Sequence, residues 1–234
     1  MKESTVDVSV VVPVRDGARY LADALDSVLD QDPAPREVLA VDDGSTDDTP
    51  TVLRAYEDSV RVLHQPASGH GAALNRGVAA ATCTWLAFVD ADDTWTPGAL
   101  AARWARAAAD PGIDLVSGRV EQFVSPELPD AVKARFRFDP APSRAQVFGT
   151  VLVRRSAFLA VGPLDEALPS AAPVDWISRA RTAGLPTVEI DDVVLRRRLH
   201  RTNMGVVLDE EVTLQALRDV VRAHHARRRE TDDR

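Results

Sequence analysis

Strand and helix signals alternate along the first half of this chain, and that alternation leaves few folds open to it. Val8 to Val14 is a continuous, largely β-branched run that reads as a strand. After the Asp16-Gly17 turn, Leu21, Ala24, Leu25, Val28 and Leu29 recur at helical spacing, and the pattern stops near Asp32-Pro33. Glu37 to Val41 reads as a second strand, followed by a helix that Thr49 would cap and Pro50 would begin, running to about Tyr56. Val60 to Leu63, a helix over about Gly71 to Ala81, and Trp85 to Val89 continue the series. The expected fold class is α/β, with a mostly parallel central sheet flanked by helices. Ligands of such open sheets bind at the carboxyl ends of the strands.

The second half is less regular. A helix from Pro97 to Ala109 leads to a strand over Leu115 to Phe123, and Val147 to Val153 returns as a strand. Between them, Ser125 to Ser143 carries four prolines, with Lys133, Arg135, Arg137 and Arg144 nearby, and reads as a solvated surface loop in preference to a substrate lid. Leu214, Leu217, Val220, Val221 and His224 then fall at helical spacing before Arg227-Arg228-Arg229. A docked amphipathic helix is favoured there over membrane-surface attachment, because Glu230, Asp232 and Asp233 dilute the basic cluster. No repeat or low-complexity linker divides the chain, so residues 1–234 are expected to form a single domain.

Charge and composition narrow the function classes. A net charge of -8 argues against a general nucleic-acid binder, although arginines or a metal can still hold a phosphate locally. Cys83 is the only cysteine, so no internal disulfide forms. The chain has no apolar run near the roughly 20 residues that span a bilayer and no signal-peptide pattern at Met1-Lys2-Glu3-Ser4, so the expected location is cytoplasmic.

Phe88-Val89-Asp90-Ala91-Asp92-Asp93 ends an apolar strand in carboxylates. If strand geometry persists, Asp90 and Asp92 project to one side at period two, and their hard oxygen ligands suit Mg²⁺ or Mn²⁺ shared with a substrate diphosphate. The plainer alternative is an acidic, solvated turn before Pro97.

Taken together, Val8 to Asp16, Val41-Asp42-Asp43-Gly44-Ser45-Thr46-Asp47, Gly71-Ala72-Ala73-Leu74-Asn75 and Phe88 to Asp93 resemble the successive signatures of family 2 glycosyltransferases in order and spacing. Val153 to Phe158 through Val161 to Glu166 is similar to the family's segment after the central sheet, and Val174-Asp175-Trp176 takes the place of its catalytic acidic motif. The resemblance covers roughly residues 6 to 204. It implies a GT-A fold, with a donor-binding half over about 6–110 and an acceptor and catalytic half over about 111–205; residues 206–234, beyond the resemblance, are the amphipathic helix and tail read from their spacing. It also implies an inverting transfer from a UDP-, GDP- or dTDP-sugar to a glycan, lipid-linked sugar, peptide or small molecule.

Each motif has a physical task. Pro13 would end the first strand and shape the wall beside a nucleobase, Arg15 would reach a phosphate, and Asp42 and Asp43 would accept hydrogen bonds from a base or ribose. Asp43 is the stronger of the two, and a simple Asp-Gly-Ser-Thr turn and helix entry is the plainer account of both. The resemblance adds Gly71, Asn75 and Ala91 to the donor contacts, gives Asp90 and Asp92 the metal, and leaves Asp93 to support them or touch the sugar. It makes Asp175 the general base, against a helix cap as the plain alternative. Val174 departs from the family, which usually has an acidic residue there, so Asp165 and Glu166 are fallbacks. Arg196, Arg198 and His200 would share one face of an extended chain. Similar family members carry an Arg-x-His segment here, which would pair Arg198 with the diphosphate and give His200 to the metal or to phosphate, against a surface histidine in a basic strand as the plain alternative. His64, His70, His224 and His225 have weaker claims, and Leu74 stands where many relatives have arginine. Two further classes fit the same sheet edge: a nucleotidyltransferase, and a noncatalytic sugar-nucleotide or carbohydrate-binding module.

Overall fold

The computed structural model describes residues 5–134, 136, 139, 141–144, 147–168 and 171–200. The predicted terminal helix, its basic cluster, Arg135, Arg137, His224 and His225 lie outside the described residues. In chain order the elements are β1 (Thr5–Val14), α1 (Leu21–Leu29), β2 (Ala34–Asp42), α2 (Thr49–Arg54), β3 (Arg61–His64), α3 (His70–Ala80), β4 (Trp85–Phe88), β5 (Thr94–Trp95) and α4 (Ala99–Ala109). They continue with β6 (Leu115–Val124), α5 (Asp130–Lys133), a 3₁₀ turn (Phe148–Thr150), β7 (Val151–Arg154), α6 (Arg155–Val161), α7 (Ala172–Thr182) and β8 (Thr187–Leu199).

These strands form one sheet in the order β3-β2-β1-β4-β7-β6-β8-β5. β3, β2, β1 and β4 run parallel, β7 is antiparallel to both β4 and β6, and β8 is parallel to β6. Two reversals restore the direction, so β4, β6 and β8 deliver their carboxyl ends to the same edge as β1 and β2. Burial on both faces explains the apolar run of β1. Val8, Val10, Val12 and Val14 pack with α1 residues Leu21, Leu25 and Val28 and with Leu100 of α4, while Val11 faces the opposite layer with Ala73, Leu74 and Val78 of α3. Each such side chain contributes about 1.5–3 kcal/mol when fully buried. The second layer centres on aromatic rings, with Phe88 stacked on Phe148 at 4.2 Å and Phe158 on Trp176 at 4.6 Å.

Several sequence expectations change in detail. Pro13 does not stop β1, which runs on to Val14 in register with Asp42. Odd-numbered β1 residues face β4, where the ladder ends with the Val89 N–H donating to Val11 O, so the missing N–H of Pro13 leaves no partner unsatisfied. Thr49 lies inside α2 rather than capping it, and its buried Oγ1 accepts from Gly17 N at 2.9 Å. The 147–153 segment begins as a 3₁₀ turn and becomes a strand only at Val151. The 125–143 excursion is not merely solvated: Ser125 and Leu128 are buried, and Ser143 pairs with Val120.

Candidate active site at the carboxyl edge of the sheet

Loops after β1, β2, β3 and β4 meet the end of β8 at one edge, and hydrogen bonds lock neighbouring loops together. Asp16, at φ 50°, accepts from Thr46 N at 2.7 Å and Asp47 N at 3.3 Å, while Asp16 N donates to Ser45 Oγ at 3.0 Å. A positive φ costs a non-glycine residue about 1–3 kcal/mol, and these contacts hold it. Arg15 beside it is exposed, with Nε 4.0 Å from Asp16 Oδ2.

Asp42 accepts from Ser45 N at 2.9 Å and lies 3.2 Å from His64 Nδ1. Asp43 is buried, accepting from Gln65 Nε2 at 2.8 Å, Ser68 N at 2.7 Å and Gly69 N at 2.8 Å. Burial opposes its ionisation, but those three donors together with the charge of Arg15 outweigh it and hold the carboxyl below the usual range. Asp43 therefore pins the loop that leads into α3.

Asp90, Asp92 and Asp93 converge, with one carboxylate oxygen of each lying within 4.8 Å of the others. The convergence does not come from a continuing strand. β4 ends at Phe88, and a turn closed by Asp93 N donating to Asp90 O at 3.1 Å gathers all three carboxylates. Asp93 is 3% exposed, and its burial and the charges of Asp92 and Asp90 push its carboxyl well above the usual range, despite the Arg198 N–H at 2.9 Å. Three carboxylates gathered this closely offer the hard oxygen ligands that suit a divalent cation.

Asp90 is met by His70 at the start of α3, Nε2 to Oδ1 2.9 Å. Burial works against ionisation at Asp90, but the imidazole outweighs it and keeps the carboxyl low; burial likewise lowers His70, and Asp90, Asp92 and Asp43 raise it further than burial depresses it. Sequence reasoning ranked His70 below His200. Its position directly after Gly69, at a helix start on the same sheet edge, is the signal that could have promoted it.

His200 is buried and meets Asp92, Nε2 to Oδ2 2.9 Å. Arg198 is brought to the site, but its guanidinium donates to Asp23 Oδ2 at 2.7 Å and to Asp92 O at 3.1 Å, so it grips the turn. Arg197 carries positive charge that acts on both Asp90 and Asp93. Arg196 and Arg198 share a face as expected, both lying over the Phe123 ring at 4.9 and 5.0 Å. Ala91, partly buried, sits against Gly17, where an added Cβ would lie 3.4 Å from it.

Asn75 reaches across from α3, donating to Leu164 O at 3.0 Å and Glu166 Oε1 at 2.8 Å and accepting from Leu164 N at 2.9 Å. It therefore secures the loop carrying Asp165 and Glu166. Gly71 permits a close approach nearby, since a Cβ there would sit 3.3 Å from Ala172 Cβ at the start of α7. Asp175 follows in the first turn of α7, 1% exposed, with Oδ2 2.9 Å from Arg179 Nε. It makes no cap: Ala171 occupies that position, and the buried Asp175 instead forms an i,i+4 ion pair with the partly exposed Arg179.

Among the described residues, no helix is long and apolar enough to cross a membrane. Residues 9–160 match the family model "Glycosyl transferase family 2". The chain is 34% identical over 183 residues to the uncharacterized glycosyltransferase Rv0539 of Mycobacterium tuberculosis (strain ATCC 25618 / H37Rv), covering 72% of this chain and 78% of that protein. It is 42% identical over 94 residues to the uncharacterized glycosyltransferase alr2836 of Nostoc sp., a match spanning 38% of this chain and 29% of the relative. Among solved structures, S. aureus TarS 1-349 in complex with UDP-GlcNAc superposes with a TM-score of 0.70 at 18% identity, over 92% of this chain and 65% of that one. The mannosyltransferase PcManGT from Pyrobaculum calidifontis, in complex with GDP-Man and Mn²⁺, gives 0.65 at 22% identity, over 84% and 58%. These two likenesses establish the GT-A fold.

Proposed function

The chain belongs to glycosyl transferase family 2, and on that premise we propose that it is an inverting glycosyltransferase that moves a sugar from a nucleotide-diphosphate donor to an acceptor hydroxyl. The observation that carries the reading is the convergence of Asp90, Asp92 and Asp93 just after β4, a cluster of hard oxygen ligands on the edge where open sheets bind ligands. Asp90 and Asp92 would hold Mn²⁺ or Mg²⁺, with His200 beside Asp92. When bound, the cation supplies charge neutralisation for the departing nucleoside diphosphate.

The chain's own groups divide the remaining work. The interlocked loops after β1 and β2, with Pro13, Arg15, Asp42 and Asp43, form the wall for the nucleoside, and Arg15 is exposed enough to meet a phosphate. Gly71, Asn75 and Ala91 shape the floor and the flanking loop. Asp175 takes the proton of the acceptor hydroxyl as that oxygen bonds to the anomeric carbon and the bond to the diphosphate breaks. The packing of α7 against Gly71 supports this role by setting the first turn of α7 beside the start of α3. Asp165 and Glu166, on the adjoining loop, are the next candidates. UDP-, GDP- and dTDP-sugars are the proposed donors. UDP-GlcNAc and GDP-Man are the ligands in the two neighbours.

The test is a thermal-shift screen of those donors with and without Mn²⁺, followed by product analysis. A donor that raises the melting temperature only with metal and yields nucleoside diphosphate bears the reading out. Release of pyrophosphate instead would assign nucleotidyl transfer.

A further inference from the structure

Tyr20 stands at the entry to α1 and is 9% exposed. His200 lies against its ring at 4.7 Å between centroids, and the Arg198 guanidinium carbon lies 4.6 Å from the same centroid. The phenol is clamped from 107 residues away, donating to Glu127 Oε1 at 2.6 Å. Ser125 Oγ donates to that carboxylate at 2.7 Å, and Arg19 Nη2 pairs with it at 3.2 Å. A buried ring needs none of this to fill space; the clamp fixes where the ring stands.

What the ring supports is the carboxylate turn. His200 Nε2 meets Asp92 Oδ2 at 2.9 Å, while Arg198 holds Asp92 O through Nε and Asp93 Oδ1 through its backbone N–H. We propose that Tyr20, locked by Glu127, is a positioning residue that sets His200 against Asp92 and so tunes the affinity of the carboxylate site for a divalent cation. The proposal rests on reading the Asp90, Asp92 and Asp93 cluster as the metal site, with His200 orienting Asp92. Partners that hold a metal-binding carboxylate in place typically contribute 10–100-fold in metal affinity.

The experiment titrates the full chain with Mn²⁺ alone, counting free ion by electron paramagnetic resonance. Tyr20→Leu should weaken Mn²⁺ binding about tenfold or more, and Tyr20→Phe, which keeps the ring and loses only the clamp, by less. Glu127→Gln, whose amide oxygen still accepts from the phenol, should stay near the parent protein. In a His200→Ala background the Tyr20→Leu effect should vanish, because Tyr20 acts through His200. A Tyr20→Leu protein that melts earlier but binds Mn²⁺ within about twofold of the parent overturns the inference, as does a full effect in the His200→Ala background. A parent protein that binds no Mn²⁺ overturns the metal reading itself, and this inference with it.

Discussion

Two tasks compete for the carboxylate of Asp175. Its ion pair holds Arg179, whose guanidinium also donates to Val161 O at 2.8 Å and Pro163 O at 2.6 Å, so the pair braces the turn before the Asp165 loop. A base must also surrender an oxygen to the acceptor. Asp175→Asn separates these tasks: as the base, it should lose about 10²- to 10⁴-fold in transfer rate with donor affinity unchanged. Initial rates alongside donor titration read this directly, and a lower melting temperature with normal turnover would leave only the brace. Arg103 poses the opposite problem. It is fully buried on α4, stacked on Trp95 at 4.2 Å, and its Nη2 has no partner among the described residues. Burial pushes its guanidinium down to about 9. A desolvated charge without a carboxylate costs free energy, so Arg103→Met should be neutral or stabilising by about 1–4 kcal/mol. Arg103→Ala, which leaves a cavity, should cost about 2–5 kcal/mol. Urea denaturation of both variants checks the pair.

At the scale of elements, the site is only as well placed as the helices that hold its loops. α3 lies flat on β1 because Gly77 has no side chain: a Cβ there would sit 2.3 Å from Val11 Cγ1. Gly77→Ala should therefore destabilise by about 1–3 kcal/mol through overpacking. Val11→Ala should relieve much of that in the double variant, giving a coupling energy measurable by denaturant midpoints. The same helix begins at His70, so a tilt of α3 would carry the Asp90 contact with it. Local periodicity made α1, α3, β1 and β4 legible in the sequence, because each contains a run whose spacing states its own face. β5 was missed, being two residues whose strand geometry exists only through pairing with Leu195 and Arg196. β8 was seen only in its apolar centre. Its first half, Thr187 to Asp192, is mostly exposed and gains its order from parallel pairing with Leu115, Val116 and Ser117.

At the scale of the whole molecule, the chain builds its sheet so that charge collects where strands end. The carboxylate cluster was visible as residues but not as geometry. A turn, rather than strand alternation, gathers Asp90, Asp92 and Asp93, and the groups that answer them arrive from His70, Arg198 and His200, as many as 108 residues away. Contacts of that separation leave no local period to read, which is also why the Tyr20–Glu127 tie gave no sequence signal. The central claim is that donor binding and metal binding are one event at this edge. Asp92 tests it well, since it is partly exposed on a turn and outside the apolar core, so Asp92→Ala should leave the fold intact. The deciding measurement is calorimetric titration of the donor found by thermal shift into the parent and Asp92→Ala proteins, with and without Mn²⁺. The account predicts Mn²⁺-dependent donor binding in the parent and loss of that dependence in the variant. Equal donor affinity and equal Mn²⁺ dependence in the two proteins would contradict it.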